Sequence, residues 1–125
     1  MALDRMERGR QLRSEVMGKE VIDRVLGNAG EIEREQQALF TAYAWCDVFD
    51  REGISKATRV LINIAVLSVL GERETMKLHV GAAARLGCTT SEIRETLIQA
   101  GAIASGVRAV LACRAADEAL HQIRE

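Results

Sequence analysis

The side chains best suited to chemistry are few and scattered. His79 has Met76 and Ala83 one turn away on either side, which places it in the middle of a helix. An imidazole with an ordinary pKa of about 6.5 can give or take a proton near neutral pH. The same residue also reads as a hydrogen-bonded core histidine. Arg51 and Arg59 each carry a guanidinium fork that can hold a carboxylate through two parallel hydrogen bonds. Equally, Arg51 reads as a solvated loop charge and Arg59 as a salt-bridge partner. Tyr43 and Trp45 are the only residues of their types. They could wall a pocket for a flat ligand or pack in the core. Cys46, beside Trp45, reads as a small buried residue or as part of the same wall. Cys88 lies just ahead of a helix N-terminus, where a thiolate is favoured, but with no resolving partner in sequence it reads as incidental. Cys113 reads as core and His121 as solvated.

The three cysteines form no CxxC pair and the two histidines are far apart. No zinc site, other metal centre or disulfide framework is expected, and a reduced cytoplasmic setting is. Lys and Arg number 17 against 18 Asp and Glu, for a net charge of −1. Such a balance offers nothing to nucleic acid or to an acidic membrane. No uncharged stretch exceeds the length of Val60 to Gly71, well short of the roughly 20 residues a membrane span needs. Met1 to Glu20 is dense in charge, with no apolar signal segment.

The elements that must position these residues are helices. The 125 residues are 48% apolar, enough for the core of one domain over 1–125. Aromatics are 3% and proline is absent, which argues against base-stacking platforms and β-sandwiches and for successive helices. Glycines and caps divide the chain. Helices are expected over Leu3–Met17, Lys19–Leu26, with Val21, Ile22, Val25 and Leu26 on one face, and Glu31–Phe49. Asp50–Gly53 is a loop. Ser55 then caps a helix to Leu70, whose Val60–Leu70 stretch is apolar all round and reads as a buried central helix. Gly71 breaks it. Glu72–Leu86 ends at Gly87. Thr89 and Glu92 form a capping box, opening a helix with Ile93, Leu97, Gly101 and Ala104 on one stripe. A last helix runs from about Gly106 to Ile123. Small residues crowd the C-terminal half, from Gly81–Ala84 to Ala109, so helices there can approach closely. Apolar helical surface left over in so short a chain suggests self-association.

The order of features resembles the carboxymuconolactone decarboxylase family. Glu7-Arg8-Gly9, Arg13-Ser14-Glu15-Val16-Met17-Gly18 and Val21-Ile22-Asp23-Arg24 are similar to the family's opening. Thr41-Ala42-Tyr43-Ala44-Trp45, Arg51-Glu52-Gly53-Ile54 and Thr58-Arg59 follow in order. Leu78-His79-Val80 with Ala83, then Gly87-Cys88-Thr89 and Glu92-Ile93-Arg94-Glu95, form the most specific stretch.

The resemblance implies an all-α, single-domain bundle of six to seven helices with the alkylhydroperoxidase-like fold. It implies cofactor-free loss of CO₂ from a γ-carboxymuconolactone-type acid or lactone in aromatic degradation. It also implies a homo-oligomer, trimer or hexamer. His79 becomes the proton donor, and Arg59 and Arg51 become carboxylate clamps. Tyr43, Trp45 and Cys46 become pocket residues.

The chain departs from the family pattern at Ala42, where glutamate is usual, and at Ala104, where tyrosine is usual. Asp47 is turned about 140° from Ala42 around an α-helix and is no same-face substitute. Residues other than proline stand at Glu35, Glu52, Thr90 and Arg108. Two alternatives remain at this point. One is a non-catalytic oligomeric binding or scaffold protein; the other is a thiol peroxidase, which the missing CxxC disfavours.

Overall fold

A computed structural model describes residues 4–124. Among them the chain is all-α, with seven α-helices, one π-helix and no strand. It groups into two compact units, Met1–Ile54 and Ser55–Glu125.

Unit 1 begins with α1, Arg5–Met17, whose first turn is capped by the Asp4 carboxylate accepting from the Glu7 N–H at 2.8 Å. Leu3, the expected start, lies outside the described residues. Gly18 turns the chain at φ 99° into α2, Lys19–Gly27. Of the apolar face expected there, Ile22 is buried; Val21, Val25 and Leu26 are half-covered. The helix expected over Glu31–Phe49 is unbroken but changes its winding. It is α-helical over α3, Glu31–Phe40, and π-helical over Thr41–Phe49. The π stretch packs along α1. Leu12, Val16, Met17, Ile22, Trp45 and Phe49 are the buried apolar side chains of this unit's helices.

Unit 2 opens with α4, Lys56–Leu70, capped as expected by Ser55, which accepts from the Thr58 N–H at 3.1 Å. Gly71 ends it in the left-handed region at φ 79°, a conformation that favours glycine. Arg108 donates to the Val69 carbonyl at 2.6 Å, so this departure from proline places a cation at the negative end of α4. Helix α5, Arg73–Arg85, is followed by Gly87 at φ 91°, and the Cys88 N–H closes back on the Ala83 carbonyl at 2.9 Å. The capping box forms at 3.0 Å in both directions between Thr89 and Glu92, opening α6, Thr90–Ile103. Helix α7 is Gly106–Arg124.

Helix α4 packs on α5, α6 and α7. Val60, Ile64, Met76, Val80, Ile93, Leu97 and Ala112 form the buried core there. Each large member contributes about 1.5–3 kcal/mol by leaving water. The small residues act as expected at one crossing. A methyl group on Gly101 would lie 2.4 Å from the Ala109 Cβ, so α6 and α7 meet there at a distance only glycine allows.

Three expectations are corrected. Helix α4 is not buried all round: Val60, Ile64 and Ser68 are covered, while Ile62, Val66 and Leu70 are exposed at i, i+4 and i+8. The other helices of the unit cover only one of its faces. Ala104 leaves the Ile93–Leu97–Gly101 stripe because the chain has already left the helix there, at φ −111° and ψ −132°, and it is exposed. Cys113 is half-buried rather than core.

Candidate active site

The two units carry different parts of the expected residue set. In unit 2, His79 lies mid-way along α5, 8% exposed, on the face that also buries Met76, Val80 and Ala83. Arg59 stands half-buried in the first turn of α4, the helix α5 packs against. In unit 1, Tyr43, Trp45 and Cys46 all ride on the π-helix, and Arg51 follows in the exposed loop. A π-helix is rare and recurs at functional sites, because its wider turn redirects side chains.

The two aromatics have different fates. Tyr43 is 65% exposed, whereas Trp45 is 4% exposed and tilts against Phe49 with ring centroids 4.6 Å apart. The Trp45 indole N–H is buried and has no hydrogen-bond acceptor among the described residues. Buried donors are nearly always paired, so this one suits an acceptor brought by a ligand or by water. Cys46 is half-buried beside it.

Helix α1 fastens the π-helix through charge. Arg5 forks onto the Asp47 carboxylate, and Arg8 onto Asp50 at 2.9 and 3.1 Å. The Arg5 guanidinium, by hydrogen bond and by charge, holds the Asp47 carboxyl below its ordinary range. The pair links the Asp47 carboxylate to α1. In unit 2, Glu118 is likewise lowered and Lys77 raised by their 2.8 Å ion pair. Burial pushes both the Cys88 and Cys113 thiols up, with Glu92 and Asp117 adding to it.

Sequence reasoning missed one cluster. Arg13, on the apolar face of α1 with Leu12 and Val16, is nearly buried. It donates to Gln37 Oε1 at 2.9 Å and Thr41 Oγ1 at 3.1 Å. Its guanidinium lies 5.1 Å from the centre of the Phe40 ring, and desolvation lowers its pKa. The available signal was a charge at i+4 from Gly9 on a buried stripe.

Among the described residues, no group of three or more His, Cys, Asp or Glu is placed to hold a metal ion. No described helix is long and apolar enough to cross a membrane.

The model of the carboxymuconolactone decarboxylase family matches residues 34–118, a span that includes the π-helix, Arg51, Arg59 and His79. The chain belongs to this family. It is 32% identical over 94 residues to a 4-carboxymuconolactone decarboxylase of Acinetobacter baylyi, covering 75% of this chain and 70% of that protein. It is also 31% identical over 96 residues to a nitrosuccinic acid decarboxylase of Metarhizium robertsii, covering 75% of this chain and 66% of that protein. Both relatives are named as decarboxylases, and both matches stop short of the relatives' full length.

Proposed function

We propose that this chain is a cofactor-independent decarboxylase of a small carboxylated acid or lactone of the γ-carboxymuconolactone type, with His79 as proton donor. The observation that carries the reading is a buried histidine on the core face of α5, within the span that matches the family. When a carboxylate leaves as CO₂, its bonding electron pair stays on carbon. An adjacent electron-withdrawing group takes that pair up as an enolate. An imidazolium then delivers its proton to carbon and is re-protonated by solvent.

A guanidinium on the departing carboxylate would stabilise the ground state more than the transition state. Arg59 therefore holds a carboxylate that remains on the product, or the enolate oxygen. The substrates in the two relatives' names fit this chemistry. Each is a small acid in which a lactone or nitro group can accept the charge left by CO₂. By the same resemblance Arg51, Tyr43, Trp45 and Cys46 are substrate-contacting residues of unit 1. The exposed stripe Ile62, Val66 and Leu70 supports a homo-oligomer, because contiguous apolar surface on one helix face is favourably covered by a second copy.

The test is CO₂ release from γ-carboxymuconolactone and nitrosuccinic acid, with sedimentation run in parallel. His79→Ala is expected to abolish turnover while the oligomer persists. Full turnover in His79→Ala removes histidine from the mechanism. A second reading, a non-catalytic oligomeric binding protein, draws on Ala42 and on the engagement of Asp47 with Arg5. These leave the π-helix without a spare carboxylate. Ligand binding without CO₂ release in the wild type selects that reading. The raised Cys88 and Cys113 thiols are the opposite of an activated peroxidatic cysteine.

A further inference from the structure

The helix that carries Tyr43, Trp45 and Cys46 changes winding at one residue, Thr41, and that residue is gripped from three sides. Its hydroxyl donates to the Gln37 carbonyl at 2.6 Å and accepts from Arg13 at 3.1 Å. The same Arg13 nitrogen holds the Gln37 side-chain oxygen at 2.9 Å. Gln37 is steadied in turn by donating to Glu33 at 2.9 Å. From α1, Gly9 presses against the backbone. A methyl group on it would fall 2.3 Å from the Thr41 carbonyl oxygen and 3.3 Å from the Cys46 nitrogen. Those atoms are five residues apart, the spacing of the hydrogen bond that defines π winding. Glycine is thus seated directly over the first wide turn.

We propose that Arg13 and Thr41 are positioning residues for the decarboxylase. Together with Gln37 they fix the point at which α winding gives way to π winding, and so fix the direction in which Tyr43, Trp45 and Cys46 are presented to substrate. The consequence is geometric. An α-helix turns by about 100° per residue. A π-helix closing i to i+5 turns by about 80°. Five residues beyond Thr41, Cys46 is therefore rotated by about 100° from where continued α winding would put it. A nearly buried guanidinium with neutral hydrogen-bond partners is a costly choice for packing alone. Its two bonds both fall on the α–π junction.

This proposal rests on the substrate-contacting role given above to the π-helix residues, and its test separates the two. Thr41→Val keeps the shape and removes the hydroxyl; Thr41→Ser keeps the hydroxyl. Trp45 is the only tryptophan, so its emission reports the winding independently of activity. In Thr41→Val the freed segment brings the indole N–H to water. The emission is expected to move to the red, and KM for γ-carboxymuconolactone to rise about tenfold with kcat kept within about threefold. Thr41→Ser is expected to restore both.

Unchanged Trp45 emission and unchanged KM in a folded Thr41→Val overturn the proposal. A red-shifted emission with unchanged KM refutes the substrate-contacting role of the π-helix, and the positioning role with it. Should Thr41→Val fail to fold, Arg13→Lys carries the same comparison. It keeps the charge but replaces the planar fork with a point donor.

Discussion

Gly9→Ala is the sharpest perturbation of how α1 seats on the π-helix. In an ordinary helix interior this substitution is favourable by about 1 kcal/mol, because alanine has the better helix propensity. Here the added methyl would sit 2.3 Å from the Thr41 carbonyl oxygen and 3.0 Å from its carbon, closer than real contacts allow. The clash is with backbone and not with the end of a flexible side chain. Relief therefore means backing α1 away from Thr41, with the Arg5, Arg8 and Arg13 contacts placed along it. Overpacking of this kind costs about 1–3 kcal/mol, and a backbone obstacle puts Gly9 at the upper end. Subtracting the propensity gain leaves a net loss of about 1–2 kcal/mol. For a chain of this size that is a fall in Tm of about 4–8 °C.

Gly81→Ala is the matched control. It lies in α5, and its methyl would meet only the ends of Arg85 and Ile123 side chains at 3.5 and 4.0 Å. There the propensity gain is uncompensated, and Tm is expected to rise by about 2–4 °C. Thermal melts followed by far-ultraviolet circular dichroism give both values. A Gly9→Ala protein that melts at or above the wild type would refute the close seating of α1 on the π turn.

Two further outcomes follow from single contacts. Thr89→Ala removes one arm of the capping box that starts α6; chemical denaturation is expected to show a loss of about 0.5–2 kcal/mol. Asp47→Asn removes a carboxylate whose folded pKa lies below its unfolded value because of Arg5. Its stabilising contribution is present above the ordinary aspartate range and is lost as pH falls through the lowered folded pKa. The gap in Tm between wild type and Asp47→Asn should therefore close on acidification from pH 5 toward pH 2; a gap that widens would reverse the assignment.

The features that were legible in the sequence are those set by local chemistry. Ser55, Gly71, Gly87 and the Thr89–Glu92 box each end or begin a helix through atoms within a few residues, and each forms as the residue types dictate. His79 could be placed mid-helix from the turn spacing of its neighbours. The π winding could not be read, because Thr41–Phe49 has an ordinary helical composition. Its register depends on Gly9 and Arg13, about thirty residues earlier in the chain, and such pairing leaves no local pattern. The one-sided burial of helix α4 is not legible for a related reason. Apolar residues on every face say that cover is favourable but not which surface supplies it, and among the described residues only the Val60–Ile64–Ser68 face is buried.

The loss of the family glutamate at Ala42 gains meaning from the fate of Asp47. Asp47 is five residues further along a π-helix, where five residues turn by about 400°, so in this winding the two positions lie about 40° apart, against about 140° in an α-helix. Geometry alone would let Asp47 replace the missing carboxylate. The Arg5 fork, however, holds both carboxylate oxygens and favours the ionised form. A carboxylate tied in this way is a poor proton carrier, since taking up a proton means breaking the pair. This is consistent with the proposal that His79 is the proton donor. On that proposal the substrate is one whose own electron-withdrawing group stabilises the charge left by CO₂.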